Sequence, residues 1–545
     1  MPVRCGICRY RGVRCDGARP CCSQCQSIGF ACPGYTTTQR PSRDKVGVLA
    51  RLHPDHVPDS MNESLVYDPV PELYNEAQII FDGLHYFNDR VSNDLISIAT
   101  HSNPYQVPLS SMDKIPRIYV NLLVTTAIVH RTMQEDPAFV RSSALVQREH
   151  DLYTFRLRAL QEVNNRLSKE DTQTSDSTLM CVICLLLSTM QQSAYGDWRA
   201  HLEGARRIIQ LRGGLKEVIG QNPFFKPLMA FFVAIDVMSA TTAPSSHRHM
   251  YAATTMALHY WEAAPGIFQS NYAISAPCPE ELFQVLILVN YLRAISKKSN
   301  LTSRRHAGTW MVLNKVQAFN APQWAMKMKS FRGWKPSGDG VEFDVTTSGS
   351  GRKTPPLSRG QQAPRTSPTT TKHSTKIQME TNATPEPTAL IEDLWLNIAV
   401  VYRSAIVLYA IRTLILDLPE DKDFLYTEDT PYLNLEALRL EHSRALRECL
   451  TPIFSDATNA HQFGKLVYFP MFVCGMELDQ AEEGFQNFVA HGLETVGTAC
   501  GTLGPISAAD ELRGYWAASV KKKKNGGHVT WDEWFEGKPD FIFGF

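Results

Sequence analysis

Six cysteines near the N-terminus follow the spacing Cys5-x2-Cys8-x6-Cys15-x6-Cys22-x2-Cys25-x6-Cys32. This is a C-x2-C-x6-C unit written twice, with six residues joining the copies. Thiolates at such short separations suit zinc, which takes four donors in a tetrahedron. Six sulfurs fill two tetrahedra only if two of them bridge both metals. The internal duplication marks Cys5 and Cys22, the first cysteine of each half, as the bridges. Cys8 and Cys15 then complete one zinc, and Cys25 and Cys32 the other. Cys21 cannot replace Cys22 without breaking the spacing to Cys25, so it reads as a spectator; its alternative role is an oxidisable neighbour of the cluster. Seven of the 13 cysteines lie between Cys5 and Cys32, and in a reducing compartment such crowding points to metal rather than disulfides.

The charge around this cluster differs from that of the whole chain. The 545 residues sum to a formal net charge of zero. Residues 1–45 carry Arg4, Arg9, Arg11, Arg14, Arg19, Arg40, Arg43 and Lys45 against Asp16 and Asp44, a balance of +6 before any metal is counted. Two zinc ions and six thiolates form an anionic core, so cations must surround it before it can approach phosphate. A basic arm on a neutral body is the electrostatic footprint of nucleic-acid binding.

The stretch from Cys5 to Cys32 closely resembles the fungal Zn(II)2Cys6 binuclear-cluster transcription factors. All six ligand positions match, as do the Asp16-Gly17 turn, Arg19-Pro20 and Gly29. The resemblance implies the same bridging by Cys5 and Cys22, short helices after Cys8 and Cys25, and a cis peptide before Pro20. It also implies that the end of the first helix enters the major groove of double-stranded DNA and reads a CGG-type triplet. The residues used lie three and four positions beyond the second ligand, here Arg11 and Gly12. Arginine to guanine O6 and N7 is the commonest specific contact. Gly12 stands where the family usually has lysine; it offers only a backbone carbonyl to cytosine and makes a good helix C-cap. Arg9 and Arg14 read as phosphate contacts, Arg19 as a further cation beside the cluster, and the alternative for Arg11 is a plain phosphate contact. Many members follow the cluster with a coiled coil, but no sustained heptad runs from Tyr35 to Pro71, and Pro54 and Pro58 end the spacing of Val46, Leu49 and Leu52.

The elements that carry this module are helical. Ile118, Leu122, Leu123, Ala127 and Val129 form one apolar segment. Leu152, Phe155, Ala159, Leu160, Val163 and Leu167 recur mostly at spacings of three and four, an amphipathic helix. Asp176 and Ser177 are N-cap candidates ahead of the Leu179–Met190 run, and Gly213 and Gly214 suit a helix stop. No alternating strand pattern stands out. The fold class is therefore all-α: a small binuclear zinc-cluster module followed by a large helical regulatory domain with a disordered insertion. Trp198, His201, Leu202, Gly204 and Ala205, then Arg212, Gly213 and Gly214, look like the signature of the fungal-specific regulatory domain paired with this cluster; Cys278 to Leu282 fits the same pattern. The expected organisation is 1–35 zinc module, 36–71 linker, 72–335 first helical part, 336–388 insertion rich in Pro, Ser, Thr and Gly, 389–517 second helical part, and 518–545 a basic and aromatic tail.

Other candidate chemistry reads as structure. Cys181 and Cys184 form a C-x-x-C inside nine apolar residues, Leu179 to Leu187, where core burial outweighs redox use. That run is about half a membrane span. With no apolar leader after Met1, the chain reads as soluble and intracellular. His201 reads as a helix-surface or helix-packing histidine, and Arg206 and Arg207 as a solvated helix face. Lys521, Lys522, Lys523 and Lys524 read as a nuclear-import signal or a solvated turn. The aromatic end, Trp531 to Phe545, docks on the body or meets a partner, docking being favoured. No catalytic constellation is recognisable, which argues against an enzyme. The expectation is a nuclear, zinc-dependent regulator of transcription by RNA polymerase II that binds two zinc ions and double-stranded DNA, contacts transcription machinery or coregulators, pairs, if at all, through the helical body, and involves no membrane. The alternative is a helical scaffold or coregulator whose zinc cluster is structural and does not read bases.

Overall fold

In the computed structural model the described residues are 14–19, 22–24, 71–97, 103–135, 150–196, 198–268, 278–295, 302–330, 393–416, 435–524 and 527–542. The principal helices are α1 Pro71–Tyr86, α2 Arg117–Glu135, α3 His150–Leu167, α4 Asp176–Gln192, α5 Trp198–Leu211, α6 Lys226–Thr241, α7 Arg248–Phe268 and α8 Glu280–Ile295. They continue with α9 Thr302–Gln317, α10 Ala321–Ser330, α11 Leu394–Ile411, α12 Leu435–Ile453, α13 Tyr468–Glu477, α14 Glu483–Ala499, α15 Leu503–Lys524 and α16 Trp531–Phe535. Among the described residues there is no strand, only an isolated bridge between Tyr195 and Phe541. The all-α expectation is met.

The helices form where apolar spacing demands. On α3, Leu152, Phe155, Ala159 and Val163 are buried, one stripe at spacings of three and four. α2 is apolar on two faces. Its Leu123, Val124 and Ala127 join Leu84, Phe87 and Phe155 in a side cluster, while Ile118 and Leu122 face the main core. α4 begins one residue earlier than its apolar run suggests. The cap is Ser175, whose Oγ accepts from the Thr178 amide at 3.3 Å. Asp176 sits inside the first turn, beside the positive end of the helix dipole, and pairs with Arg212 at 2.6 Å. α5 ends as expected, because Gly213 and Gly214 take φ of 91° and 100°, which L side chains avoid.

α11 is the axis of the body. Ile398, Ala399, Val401, Ala405, Ile406, Val407 and Ala410 are wholly inaccessible, and α8, α9, α10, α12 and α13 pack around them. Each fully buried valine or isoleucine among them stabilises the fold by about 1.5–3 kcal/mol. Two segments, Pro223–Thr241 and Leu394–Leu416, are long and apolar enough to cross a membrane. In each, 83% of that apolar window is buried among other helices, so both are core elements here.

Two readings of the sequence are revised. Arg206 does not lie on a solvated face; it is 6% exposed, and its Nε donates to Asp236 Oδ2 at 2.7 Å. Tyr260 donates its hydroxyl to the same carboxylate, and only Arg207 faces solvent. Successive positions on a helix are turned about 100° from one another, so a charge pair in sequence is not a charge pair in space. The C-terminal stretch is also not a tail. Residues 518–524 complete α15, whose Ala508, Ala509, Leu512, Tyr515 and Trp516 are buried. Trp531, Phe535, Phe541 and Ile542 then enter the main core. Docking of the aromatic end is as expected.

Candidate zinc and DNA-binding site

Two of the six expected ligands, Cys15 and Cys22, lie within the described residues, and both are buried. Their Sγ atoms and a carboxylate oxygen of Asp16 all lie within 4.8 Å of one another. Two thiolates on one tetrahedral zinc stand about 3.8 Å apart, given a Zn–S bond of about 2.3 Å. The pair therefore fits a shared metal, which the bridging assignment requires of Cys15 and the bridge Cys22. Cys5, Cys8, Cys25 and Cys32 lie outside the described residues, as does Cys21.

The chain reaches this arrangement through a short polar turn. Gly17 takes φ of 75°, a conformation that favours glycine. The exposed Asp16 carboxylate accepts from the Ser23 amide at 3.2 Å and from the Ala18 amide at 3.4 Å. The Ser23 hydroxyl also donates to it. The Ser23 hydroxyl and amide hold the Asp16 carboxyl below its usual range, so it is ionised at neutral pH. Its oxygens are occupied by these donors. Asp16 thus ties the residue after Cys15 to the residue after Cys22, orienting the two thiols as an outer partner of a metal site does.

Arg14 and Arg19 flank this turn and are exposed. Their neighbours in the sequence reading, Arg9, Arg11 and Gly12, lie outside the described residues. Lys521, Lys522, Lys523 and Lys524 occupy the last turn of α15, where cations complement the helix dipole. Lys522 is engaged with both oxygens of Glu533, at 2.7 and 2.6 Å. Lys521, Lys523 and Lys524 are exposed. The C-x-x-C pair is core, as expected. Cys181 is fully buried and Cys184 partly buried against the same core, and burial pushes the Cys181 thiol up to about 12 and Cys184 well above its usual value. Neither is poised as a thiolate. His201 is half-buried on α5.

Sequence reasoning missed two buried arginines that organise the body. Arg293, 1% exposed, donates to the carbonyls of Ala240, Thr241 and Ala243 at 3.0, 3.2 and 3.0 Å, to Tyr409, and to Asp532 Oδ1 at 2.7 Å. Arg412 reaches the carbonyls of Met476 and Val529 at 3.1 and 2.9 Å, and Glu477 at 3.1 Å. The signal was present: Asn290 and Arg293 stand at i, i+3 within an apolar helix, a placement that demands internal partners.

The buried Cys15–Cys22 pair lies beside exposed Arg14 and Arg19, on a chain whose described residues are otherwise helical, the arrangement expected of a zinc-cluster regulator of transcription. Comparison with known proteins places it further. Residues 83–544 match the model of the fungal specific transcription factor domain, and residues 3–42 that of the fungal Zn(2)-Cys(6) binuclear cluster domain. The chain belongs to this family of fungal zinc-cluster transcription factors, and its N-terminal domain binds two zinc ions and DNA. A relative along nearly the whole length is the phomenoic acid biosynthesis cluster-specific transcriptional regulator of Leptosphaeria maculans, 22% identical over 98% of this chain and 88% of that protein. The transcriptional activator protein acu-15 of Neurospora crassa is 61% identical over 28 residues, 5% of this chain and 3% of that protein. No solved structure matches the chain.

Proposed function

We propose that this protein is a zinc-dependent, sequence-specific regulator of transcription by RNA polymerase II, acting in the nucleus at CGG-type sites. The observation that carries this reading is the Cys15–Cys22 pair, buried and spaced for one metal beside exposed Arg14 and Arg19. Cys5, Cys8, Cys25 and Cys32 complete the two metal sites, with Cys5 and Cys22 as bridges. The zincs fix the turn between the two halves, and with it the positions of the arginines. Arg9, Arg14 and Arg19 meet phosphates, and Arg11 reads guanine. The backbone at Gly12 adds no side-chain donor, so base reading rests on Arg11. Lys521, Lys523 and Lys524 form the exposed part of an import signal. The helical body recruits transcription machinery or coregulators and is the surface through which two copies pair.

Arg11→Ala tests the reading most directly. The variant should keep its zinc and lose about 1–3 kcal/mol of affinity on a CGG-containing duplex, with a smaller loss on random DNA, in a fluorescence anisotropy titration at fixed salt. Equal losses on both duplexes would reduce Arg11 to a phosphate contact. A wild-type protein that prefers no sequence would favour the scaffold reading instead.

A further inference from the structure

A cavity of about 630 Å³ opens between the residues that follow α11, the first turn of α12, the end of α13 and the second half of α15. Small-molecule sites commonly measure about 300–1,000 Å³. Leu416, Trp516 and Val520 are among its apolar walls. Leu416 is 42% exposed, so a large apolar side chain here is left partly uncovered.

The charged walls do not balance. Arg412, Arg439, Lys523 and Lys524 stand against Glu477 and Asp479, four cations to two anions, on a chain whose formal net charge is zero. Both acids are already engaged. Glu477 is 5% exposed, and its Oε1 accepts from Arg412 at 3.1 Å and its Oε2 from Arg439 at 2.6 Å. Asp479 accepts from the Ala481 amide at 2.9 Å, and Lys523 stands 4.0 Å from its other oxygen. The cations are less fully used. Arg439 gives only its Nε to Glu477; its side chain is 40% exposed, and its two Nη atoms meet no acceptor among the described residues. Lys523 and Lys524 are exposed, and Lys524 meets no acceptor among the described residues. The negative end of the α15 dipole, about half a charge, is outweighed by these two lysines.

We propose that this cavity binds an amphipathic organic acid, a small-molecule effector of the helical body. Its carboxylate docks on the Nη atoms of Arg439 within the field of Lys523 and Lys524, and its apolar body lies against Leu416, Trp516 and Val520. A guanidinium presents paired donors that match a carboxylate. The excess of positive charge selects against cations. Small inorganic anions gain nothing from the apolar walls, so an acid with an apolar body is preferred to them. Lys523 and Lys524 also belong to the import signal proposed above, but binding to the purified protein is read without reference to import.

Naphthoate and naphthamide are the probes, because they share an apolar body and a similar shape and differ in charge. Full-length, zinc-loaded protein is titrated with each by calorimetry, at low and at high salt. Naphthoate should bind roughly tenfold tighter than naphthamide or better, since it alone makes charge-assisted hydrogen bonds. The margin should shrink at high salt, because the lysines are exposed. The double variant Lys523→Gln, Lys524→Gln should weaken naphthoate by roughly two- to tenfold and leave naphthamide unchanged. Arg439→Gln should bring naphthoate down to the level of naphthamide. Leu416→Glu, which sets a negative charge on the apolar wall, should abolish naphthoate binding with helicity and zinc content unchanged. The proposal is overturned if naphthoate does not bind the wild type, if it binds no tighter than naphthamide, or if the lysine variant or Leu416→Glu binds it as the wild type does. Those results decide the matter even if Arg439→Gln, which also breaks the pair with Glu477, does not fold.

Discussion

A buried ion pair between Arg293 and Asp532 helps to hold the C-terminal segment to the body, and breaking it should cost the protein a measurable share of its stability. Asp532 lies in the first turn of α16, and its carboxylate meets Arg293 at 2.7 Å and the Ser245 amide at 3.1 Å. Arg293 also caps the C-terminus of α6 through the carbonyls of Ala240, Thr241 and Ala243. Trp531 reinforces the same end, its Nε1 donating to the Thr241 carbonyl at 2.7 Å. Asp532→Ala leaves a buried guanidinium facing only neutral acceptors. Removing one partner of a buried pair costs about 3–5 kcal/mol. Asp532 is 28% exposed, so water can reach part of the vacated site and the expected loss falls to about 2–3 kcal/mol. Trp531→Ala removes a ring that is 1% exposed, at a cost of about 3–5 kcal/mol. Both changes undock the same short helix, so the double variant should lose less than the sum. Burial alone would raise the Asp532 carboxyl, but Arg293 and Ser245 outweigh it and hold the group below its usual range. A lowered carboxyl stabilises the fold above its unfolded pKa, about 3.9, and that contribution is lost as pH falls through the lower, folded value. The wild type and Asp532→Ala should therefore differ by a constant amount from pH 5 to 8 in urea unfolding, within about 0.5 kcal/mol. A loss below about 0.5 kcal/mol for Asp532→Ala would refute the anchoring role of the pair.

Three further outcomes follow from the same reasoning. Cys8→Ser or Cys25→Ser should release zinc and unfold the N-terminal module, since metal binding and folding are coupled there; metal analysis that finds zinc and DNA binding intact in both variants would refute the ligand set. Burial, with Arg403 nearby, lowers the His442 imidazole to about 4, and its Nδ1 pairs with Ser404 Oγ at 3.0 Å. The unfolded chain then binds the extra proton first, so stability should decline from about pH 6.5 downward, and His442→Gln should flatten that decline relative to the wild type. The composition of residues 336–388 predicts that limited proteolysis cuts there before it cuts the helices, with mass spectrometry of the first fragments as the check; first cuts within α2 or α11 would count against it.

How much of this was legible depends on what each residue must satisfy. The two-zinc cluster domain was legible, because tetrahedral zinc leaves few ways to use six cysteines at that spacing. The helices were legible where one face is apolar, as on α3, and where glycine forces a stop, as after α5. The role of Arg206 was not, because its partner Asp236 lies thirty residues away on a helix that is apolar all round and shows no face. Asp532 was hidden for the same reason: its partner Arg293 is 239 positions distant. The clamp by Asp16 was half legible. The Asp16-Gly17 turn stood out, but the reach of its carboxylate to Ser23 depends on how the two halves of the module face each other.

The same long-range pairing explains how one helical body accommodates residues 336–388. α10 and α11 lie on either side of that stretch, and they are joined directly. Lys329 near the end of α10 pairs with Asp393, which caps α11 by accepting from the Leu396 amide at 3.2 Å. Trp324 and Trp395 meet edge to face, 6.0 Å between centroids, one step further in. The ends of the intervening chain are thus fixed by contacts that do not involve it. Closing a loop costs only about 0.6 kcal/mol more for each doubling of its length, so the intervening stretch can be long and rich in Ser and Thr at little expense to the core. Lys329→Ala and Asp393→Ala separate the two effects. Asp393→Ala removes both the ion pair and the helix cap and should cost about 1–2 kcal/mol, whereas Lys329→Ala removes only a half-exposed pair and should cost less than about 1 kcal/mol. Equal losses would mean that the ion pair, and not the cap, joins the two halves.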